Sequence, residues 1–471
     1  MSIDKTLKAQ SLFHRIAESR RSSWKQLTAM ANAFRRHPFN AEKRREFYRT
    51  RLTFESTRAI ESVRNAFIDS QIEPDIDVMS SVTSTWRATE TTDSAILFAE
   101  KGEWIGHKQV KFLNEGRLPE EPCVKALDRY VVSVRNITVI GGTRYLLTED
   151  GRVLHDEEAR YSSIDVSLKY PRAERIGNNA IKVTIRPKSR QIISAGIHIM
   201  GEGDTNYFHF IVEILPRFLM AASLRDCMNC PLLITAGLHE NMLAALAIVN
   251  DTGRDVIELE PDVPYHVKNL IYPSDTASIL NIYGRLAKKE EGTLSVDWLR
   301  RVRAPILASV QSSIPSRRRR RLYVRRGKKI RALLNEFEIE EMLVKLGFEI
   351  LALEELSFRV QVILFAEAEM IVMPTGAAVT NVLWCEPGVN VLILTSDHPA
   401  IQHSIWQLLC EVSESELVIV RGPRVNKLLG EYGVHDDFEI DADLLRSAVQ
   451  NPEILRPSVG AETAAAGVAN L

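Results

Sequence analysis

The stretch Met370-Ile371-Val372-Met373-Pro374-Thr375-Gly376-Ala377-Ala378-Val379-Thr380-Asn381 reads as a buried strand that breaks into a small-residue loop and opens a helix. Its unbroken apolar start suits a strand covered on both faces, as in a parallel sheet. A glycine-containing loop between a strand and a helix N-terminus forms an anion pocket, because unpaired backbone N–H groups and the helix dipole face the ligand. Upstream, strand Leu322-Tyr323-Val324 ends in Arg325 and Arg326, and Arg331 and Asn335-Glu336 lead into a second helix. Arginine supplies countercharge and forked donors that phosphate oxygens accept. The two units together imply a diphosphate held between them.

Working outward, the C-terminal half alternates: helix 336–346 with Gly347 as its C-cap, strand 348–351, helix 357–366 and strand 370–373. The loop and helix 374–384 then lead to strand 389–394, helix 401–411 and strand 417–420. Alternating strands and helices predict a Rossmann-like sheet over 311–450. Before it, helix 207–222, strand 232–235, helix 241–250 and strands 256–259 and 267–272 predict another parallel, doubly wound sheet. Earlier still, short strands at 130–134, 137–140, 145–147, 152–154, 181–185 and 191–199 are separated by turn signals such as Gly141-Gly142 and Asp150-Gly151. This β-rich segment and the first α/β unit make a first lobe over 76–310, and 300–320 reads as the linker between lobes. Residues 1–75 carry helical apolar stripes (Trp24, Leu27, Ala31, Phe34) with arginine-dense faces, and the alanine- and glycine-rich tail 451–471 is expected to be disordered.

Of the 471 residues 45% are apolar and 26% charged, with a net charge of −1, which argues against a general polyanion binder and hence against nucleic acid. No stretch is long and apolar enough to span a membrane, and Met1-Ser2-Ile3-Asp4-Lys5 has no signal core, so a cytoplasmic protein is expected. Five cysteines are too few for a disulfide framework, and Cys227-Met228-Asn229-Cys230 has no second ligand pair; no metal site is expected. The 317–321 arginine run reads as a solvated surface, apart from the strand it enters.

His209 and Glu213 sit four apart on the helix that starts after Asn206, so they share a face. Such a pair serves either as a base with its orienting carboxylate or as a buried hydrogen-bonded pair. Pro216, inside the same run, predicts a kink or an early helix end.

At these residues the chain resembles glycosyltransferase family 61, over roughly 125–425 and in the order and spacing of the family's signatures. Asn206, His209, Glu213, Pro216 and Arg217 match the first signature; Arg326, Arg331, Asn335 and Glu336 the second; Gly376, Thr380, Asn381, Pro387 and Gly388 the third. The family has histidine where this chain has Thr375 and glycine where it has Ala378. The resemblance implies an α/β fold of the GT-B type, two Rossmann-like lobes with a cleft between them. It implies an inverting transferase that moves a sugar from a nucleoside-diphosphate sugar to a saccharide or lipid-linked saccharide hydroxyl, without a metal or other cofactor, in capsule, exopolysaccharide or related glycan synthesis. On that reading His209 or Glu213 is the acceptor-side base, with Asn206 and Arg217 as acceptor-side or structural groups. Arg326, Arg331, Asn335, Glu336, Thr375, Gly376, Ala377, Ala378, Thr380 and Asn381 hold the donor.

Thr375 carries no charge and shuttles no proton, which motivates a competing reading: a catalytically silent nucleotide- or carbohydrate-binding scaffold of a polysaccharide-assembly complex. A nucleotide-sugar 2-epimerase on the same architecture is a third. The helices of 1–75 are expected to serve association, with a second copy or peripherally with the inner face of a membrane.

Overall fold

Runs of branched and aromatic residues pair into two large sheets, and the pairing fixes where the loops gather. The computed structural model describes residues 76–451 apart from 89–93, 107–110, 114–115, 118–122, 162–167, 178–179, 188–190, 281–287, 289–290, 315–319, 327–330 and 426–433. The expected helices of 1–75, the expected tail beyond 451 and the start of the arginine run, Arg317, Arg318 and Arg319, lie outside the described residues.

The first sheet is mixed rather than purely parallel. Its parallel part runs Pro264–Pro273, Gly196–His198, Leu232–Thr235, Val256–Leu259. Pro264–Pro273 also pairs antiparallel with the long strand Arg129–Ile140, placing Tyr265 opposite Val139 and Leu270 opposite Val134. Residues 130–134 and 137–140, expected as separate strands, form one strand, because Asn136 adopts the left-handed backbone and the chain continues through it. Beyond it the sheet extends through Leu146–Leu147, Val153–Leu154, Ile76–Thr83, Ala180–Ile185 and Ala173–Gly177.

The second sheet has the order Glu349–Leu351, Arg320–Val324, Ala368–Pro374, Asn390–Ser396, Glu416–Gly422, parallel throughout. Its far edge is covered by Lys111–Phe112 and Gly116–Arg117, a hairpin from the sequence segment assigned to the first lobe. Phe112 is buried there beneath the Arg421 guanidinium, 4.1 Å from its ring centre, and shields an otherwise open edge. Gly347 ends helix Glu336–Lys345 with φ 81°, as its C-cap role requires.

One hydrophobic core runs between the sheets and includes Ile197, Phe210, Phe218, Trp298, Phe358, Ile371, Trp384 and Leu409. The segment expected as a linker therefore differs from a tether. Helix Val296–Val310 buries Trp298, Leu299, Val302, Ile306 and Val310 in this shared core. Burying so much apolar surface holds the two halves firmly, leaving open space only near the C-terminal ends of the strands. Asp75–Leu471 is accordingly one compact unit.

Candidate active site

The wall contributed by the first sheet is the helix after Asn206, whose side-chain oxygen accepts a hydrogen bond from the Phe208 N–H at 2.9 Å. Of the kink or early end expected at Pro216, the early end does not occur. Instead Phe210–Ile214 forms a π turn, in which the Leu215 N–H donates to Phe210 O, and Leu215–Ala222 continues as α-helix. Proline has no N–H and its ring crowds the carbonyl one turn back, and widening that turn accommodates both.

At the start of the π turn, His209 Nδ1 lies 3.0 Å from Glu213 Oε2. The His209 side chain is 23% exposed and Glu213 only 7%, so the ring reaches the cleft while the carboxylate stays behind it. Burial pushes the Glu213 carboxyl up, but Lys169 and His209 outweigh it and hold the group down at about 2. Glu213 is therefore ionised at neutral pH and accepts the Nδ1 proton, so Nε2 is the ring nitrogen left free of it.

Behind this pair lies a buried charge network that no sequence spacing announced. Lys169 is 2.9 Å from Glu157 and 3.9 Å from Glu213. Arg144 bonds Glu202 and Asp275, each at 2.8 Å, and lies 3.6 Å from Glu157. Burial raises the Glu202 carboxyl, yet Arg144 and His155 hold it well below the usual range. Arg217, the end of the first signature, is buried and structural. It donates to Met200 O at 2.7 Å and Pro273 O at 3.0 Å, tying the helix to the strand ends.

The opposite wall comes from the second sheet. Arg326 follows strand Arg320–Val324; its N–H donates to Glu336 Oε1 at 3.0 Å, and Tyr323 O–H donates to the same oxygen at 3.2 Å. Glu336 thus orients the strand end and does not reach the cavity. The Arg326 guanidinium donates to Thr375 O and crosses so close to Gly376 that any side chain there would overlap it. Glycine is needed here for close approach; its φ of 164° is ordinary extended backbone. Burial and the neighbouring Arg331 lower the Arg326 pKa to about 10. Arg331 has a left-handed backbone, φ 59°, and its N–H donates to His435 O at 3.1 Å. Burial, then Arg331 and Arg326, push the His435 imidazole down to about 4. Positive groups thus crowd one corner, and His435 was not visible as a candidate because it lies in no motif.

After Gly376 the chain forms a 3₁₀ helix, Ala377–Trp384, in place of the expected α-helix. Its first amides, at Ala377 and Ala378, have no partner within the helix. Three expected donor ligands have their polar groups engaged within the fold, although Asn381 still borders the larger of the cavities between the walls. Thr380 is fully buried and its hydroxyl donates to Ala377 O at 2.7 Å, holding the turn. The Asn335 side chain accepts from Ile440 N–H at 3.1 Å and donates to Ile440 O at 2.8 Å, so it splices two backbone segments. Asn381 accepts from Tyr207 O–H at 2.8 Å and Trp384 Nε1 at 2.9 Å, and donates to Gln361 at 3.2 Å. It latches the first-sheet helix to the second sheet's loop, because its oxygen takes bonds from both.

Two cavities open between these walls. One of about 510 Å³ is bordered by Arg325, Arg326, Arg331, Gly376, Ala378 and Tyr207. The other, about 280 Å³, is bordered by His209, Phe208, Arg331, Thr375, Trp406 and His435. Asn206, Arg331, Gly376 and Ala377 border both, so the cavities adjoin at the glycine turn.

Residues 207–392 match the family described as Glycosyltransferase 61. This stretch is similar to the glycosyltransferase 61 family. No curated protein matches the chain. The glycosyltransferase 61 segment contains His209 and Glu213 as well as Arg326, Arg331 and Gly376, so both walls of the cleft fall within it. Lys169, Arg144, Glu157 and Glu202, which hold Glu213 from behind, precede it. Cys227 and Cys230 are not joined in a disulfide, and among the described residues no cluster of His, Cys, Asp or Glu is arranged to hold a metal ion. Among the same residues no helix is long and apolar enough to cross a membrane.

Proposed function

We propose that the chain is an inverting glycosyltransferase of GT-B type that moves a sugar from a nucleoside diphosphate to a saccharide hydroxyl. The observation that carries this reading is the pairing of walls: Arg326 and Arg331 beside the Gly376 turn on one side, and the His209–Glu213 pair on the other. A guanidinium whose basicity the neighbouring Arg331 lowers gains most from an anion placed between the two. The diphosphate lies against Arg326, Arg331 and the amides of Ala377 and Ala378.

The acceptor oxygen attacks the anomeric carbon from the face opposite the diphosphate. A carbon–oxygen bond forms there as the bond to the diphosphate oxygen breaks, and configuration inverts. The hydroxyl proton passes to His209 Nε2, while Glu213 stabilises the resulting imidazolium through Nδ1–H. The electron pair leaves with the diphosphate, whose growing charge Arg326 and Arg331 meet. No step in this scheme calls on a metal, and the nucleotide sugar is substrate rather than cofactor.

Its setting is capsule, exopolysaccharide or related glycan synthesis on the cytoplasmic side of a membrane. Residues 1–75 would associate there with a second copy or with the membrane surface, bringing a lipid-linked acceptor within reach. The test is calorimetry with nucleoside diphosphates and their sugars, followed by measuring nucleoside diphosphate release with and without saccharide acceptors. Binding together with acceptor-dependent release supports the reading; dissociation constants above millimolar for all of them defeat it. Thr375, buried in the wall of the smaller cavity, favours a second reading as a silent binding protein. That reading requires binding with no release under any acceptor.

A further inference from the structure

Away from the cleft, a cavity of about 640 Å³ opens in the β-rich part of the first half. That volume is within the ~300–1,000 Å³ usual for small-molecule sites. Trp86, Glu100, Asp128, Tyr130, Asp156 and Arg160 border it, and none of them borders either cleft cavity. All precede the glycosyltransferase 61 segment.

The site is held together by one buried carboxylate. Asp156, 3% exposed, accepts at Oδ1 from the Thr85 N–H at 2.8 Å and from the Tyr130 O–H at 2.6 Å. The Tyr130 hydroxyl oxygen in turn accepts from the Trp86 N–H at 3.1 Å. The short turn Thr85–Ala88 therefore hangs from Asp156, and its indole sits 5.2 Å from the Tyr130 ring at 64°, edge to face. Trp86 is 36% exposed, a large apolar surface beside a polar pocket. Asp156 Oδ2 has no hydrogen-bond partner, which is costly for a buried acceptor.

The charges around this pocket largely cancel. Lys101 pairs with Asp128 at 2.8 Å, and Arg129 pairs with Glu100 at 2.9 Å and also with Glu103. Arg160 lies in the field of the Asp275 and Asp156 carboxylates, so a phosphate or polyanion would find no uncompensated positive field here. A purely apolar ligand would strip water from the part-exposed Glu100 and Asp128 carboxylates without replacing it. A sugar meets both demands: C–H groups for the indole face and hydroxyl donors for the carboxylates.

We propose that this pocket is a separate binding site for a short neutral oligosaccharide. It does not rest on the reading of the cleft. The test is isothermal titration of the full chain with neutral tetrasaccharides of glucose, xylose, mannose and N-acetylglucosamine, with tetragalacturonate alongside, each with and without saturating uridine diphosphate. At least one neutral oligosaccharide is expected to bind in both conditions. Trp86→Ala is expected to weaken that binding on the order of tenfold or more, and Trp86→Phe by less, with unchanged melting temperatures showing that both fold. Absence of binding by every neutral sugar, preference for the galacturonate, competition by the nucleotide, or equal affinity in the folded variants would each overturn the assignment. Should Trp86→Ala fail to fold, Trp86→Phe and the nucleotide arm still decide, because the site requires weaker binding in the first and none of the displacement in the second.

Discussion

Replacing Asp204 with asparagine isolates one buried carboxyl beside the proposed base. Asp204 is 4% exposed and lies in the turn before Asn206, next to Gly203, whose added side chain would touch the His209 ring at 3.4 Å. Its Oδ2 accepts from the Gly201 N–H at 3.1 Å and from the Thr235 hydroxyl. Burial raises its pKa from 3.8 to about 7, more than these hydrogen bonds lower it. A raised folded pKa gives stability that is complete below the unfolded value and lost as pH rises through the folded one. Between pH 5 and pH 7 that loss amounts to about 3 kcal/mol, at ~1.4 kcal/mol for each unit. Asparagine offers an oxygen to the same donors and has no proton to lose. Urea unfolding of both proteins across this range, taken as a difference, cancels the other titrating groups. The variant should gain on the parent as pH rises and plateau above 7. Parallel curves, agreeing within about 1 kcal/mol at every pH, would refute the claim that Asp204 is protonated in the folded chain.

Gly376→Ala should displace the Arg326 guanidinium and weaken nucleoside diphosphate binding roughly tenfold to a hundredfold by calorimetry, the scale of one charge-assisted hydrogen bond. His209→Ala should lower acceptor-dependent turnover on the order of 10²–10⁴-fold with donor affinity kept, measured by nucleoside diphosphate release. Lys169→Met should destabilise the fold by about 3–5 kcal/mol in urea titration, since it removes the ammonium that the buried Glu157 and Glu213 share. Glu213, with a depressed pKa near 2, contributes stability above the ordinary carboxyl range and loses it as pH falls through that value. Removing Lys169 should therefore shift the acid limb of both stability and turnover to higher pH.

Elements that bury both faces were the most legible in the sequence. Met370 to Met373 reads as a strand because nothing polar interrupts it, and the structure extends it only to Ala368–Pro374. Gly347 was recognisable as a helix end because its position demands a left-handed backbone. The hairpin that closes the second sheet was not legible: Lys111–Phe112 is too short to show a period, and its pairing with Val418 and Ile419 is remote in the chain. The π turn was half legible. Pro216 showed that regular helix geometry must yield, but several distortions satisfy a missing N–H, and packing of Phe210, Ile211 and Ile214 chooses among them.

The site shows the same division between local and distant causes. The spacing of His209 and Glu213 places them on one helix face, and that much is local. Whether such a pair acts as a base depends on which proton the ring carries, and that is set by Glu213 remaining ionised in a buried place. Lys169 and Arg144 supply that condition, yet in the sequence each is a single cation among many, indistinguishable from a surface residue. Likewise, the glycine turn announced an anion pocket by its own amides, but its tolerance for Arg326 appears only when strand Arg320–Val324 lies beside Ala368–Pro374. Thr380 and Asn381 spend their polar groups within the fold, for the converse reason. A polar residue one turn into a buried helix must satisfy its own hydrogen bonds first, and here the turn and the Tyr207 latch consume them. In both walls the cleft-facing groups are therefore those whose partners come from other elements, since such partners can orient a side chain without occupying the face it presents to the cleft.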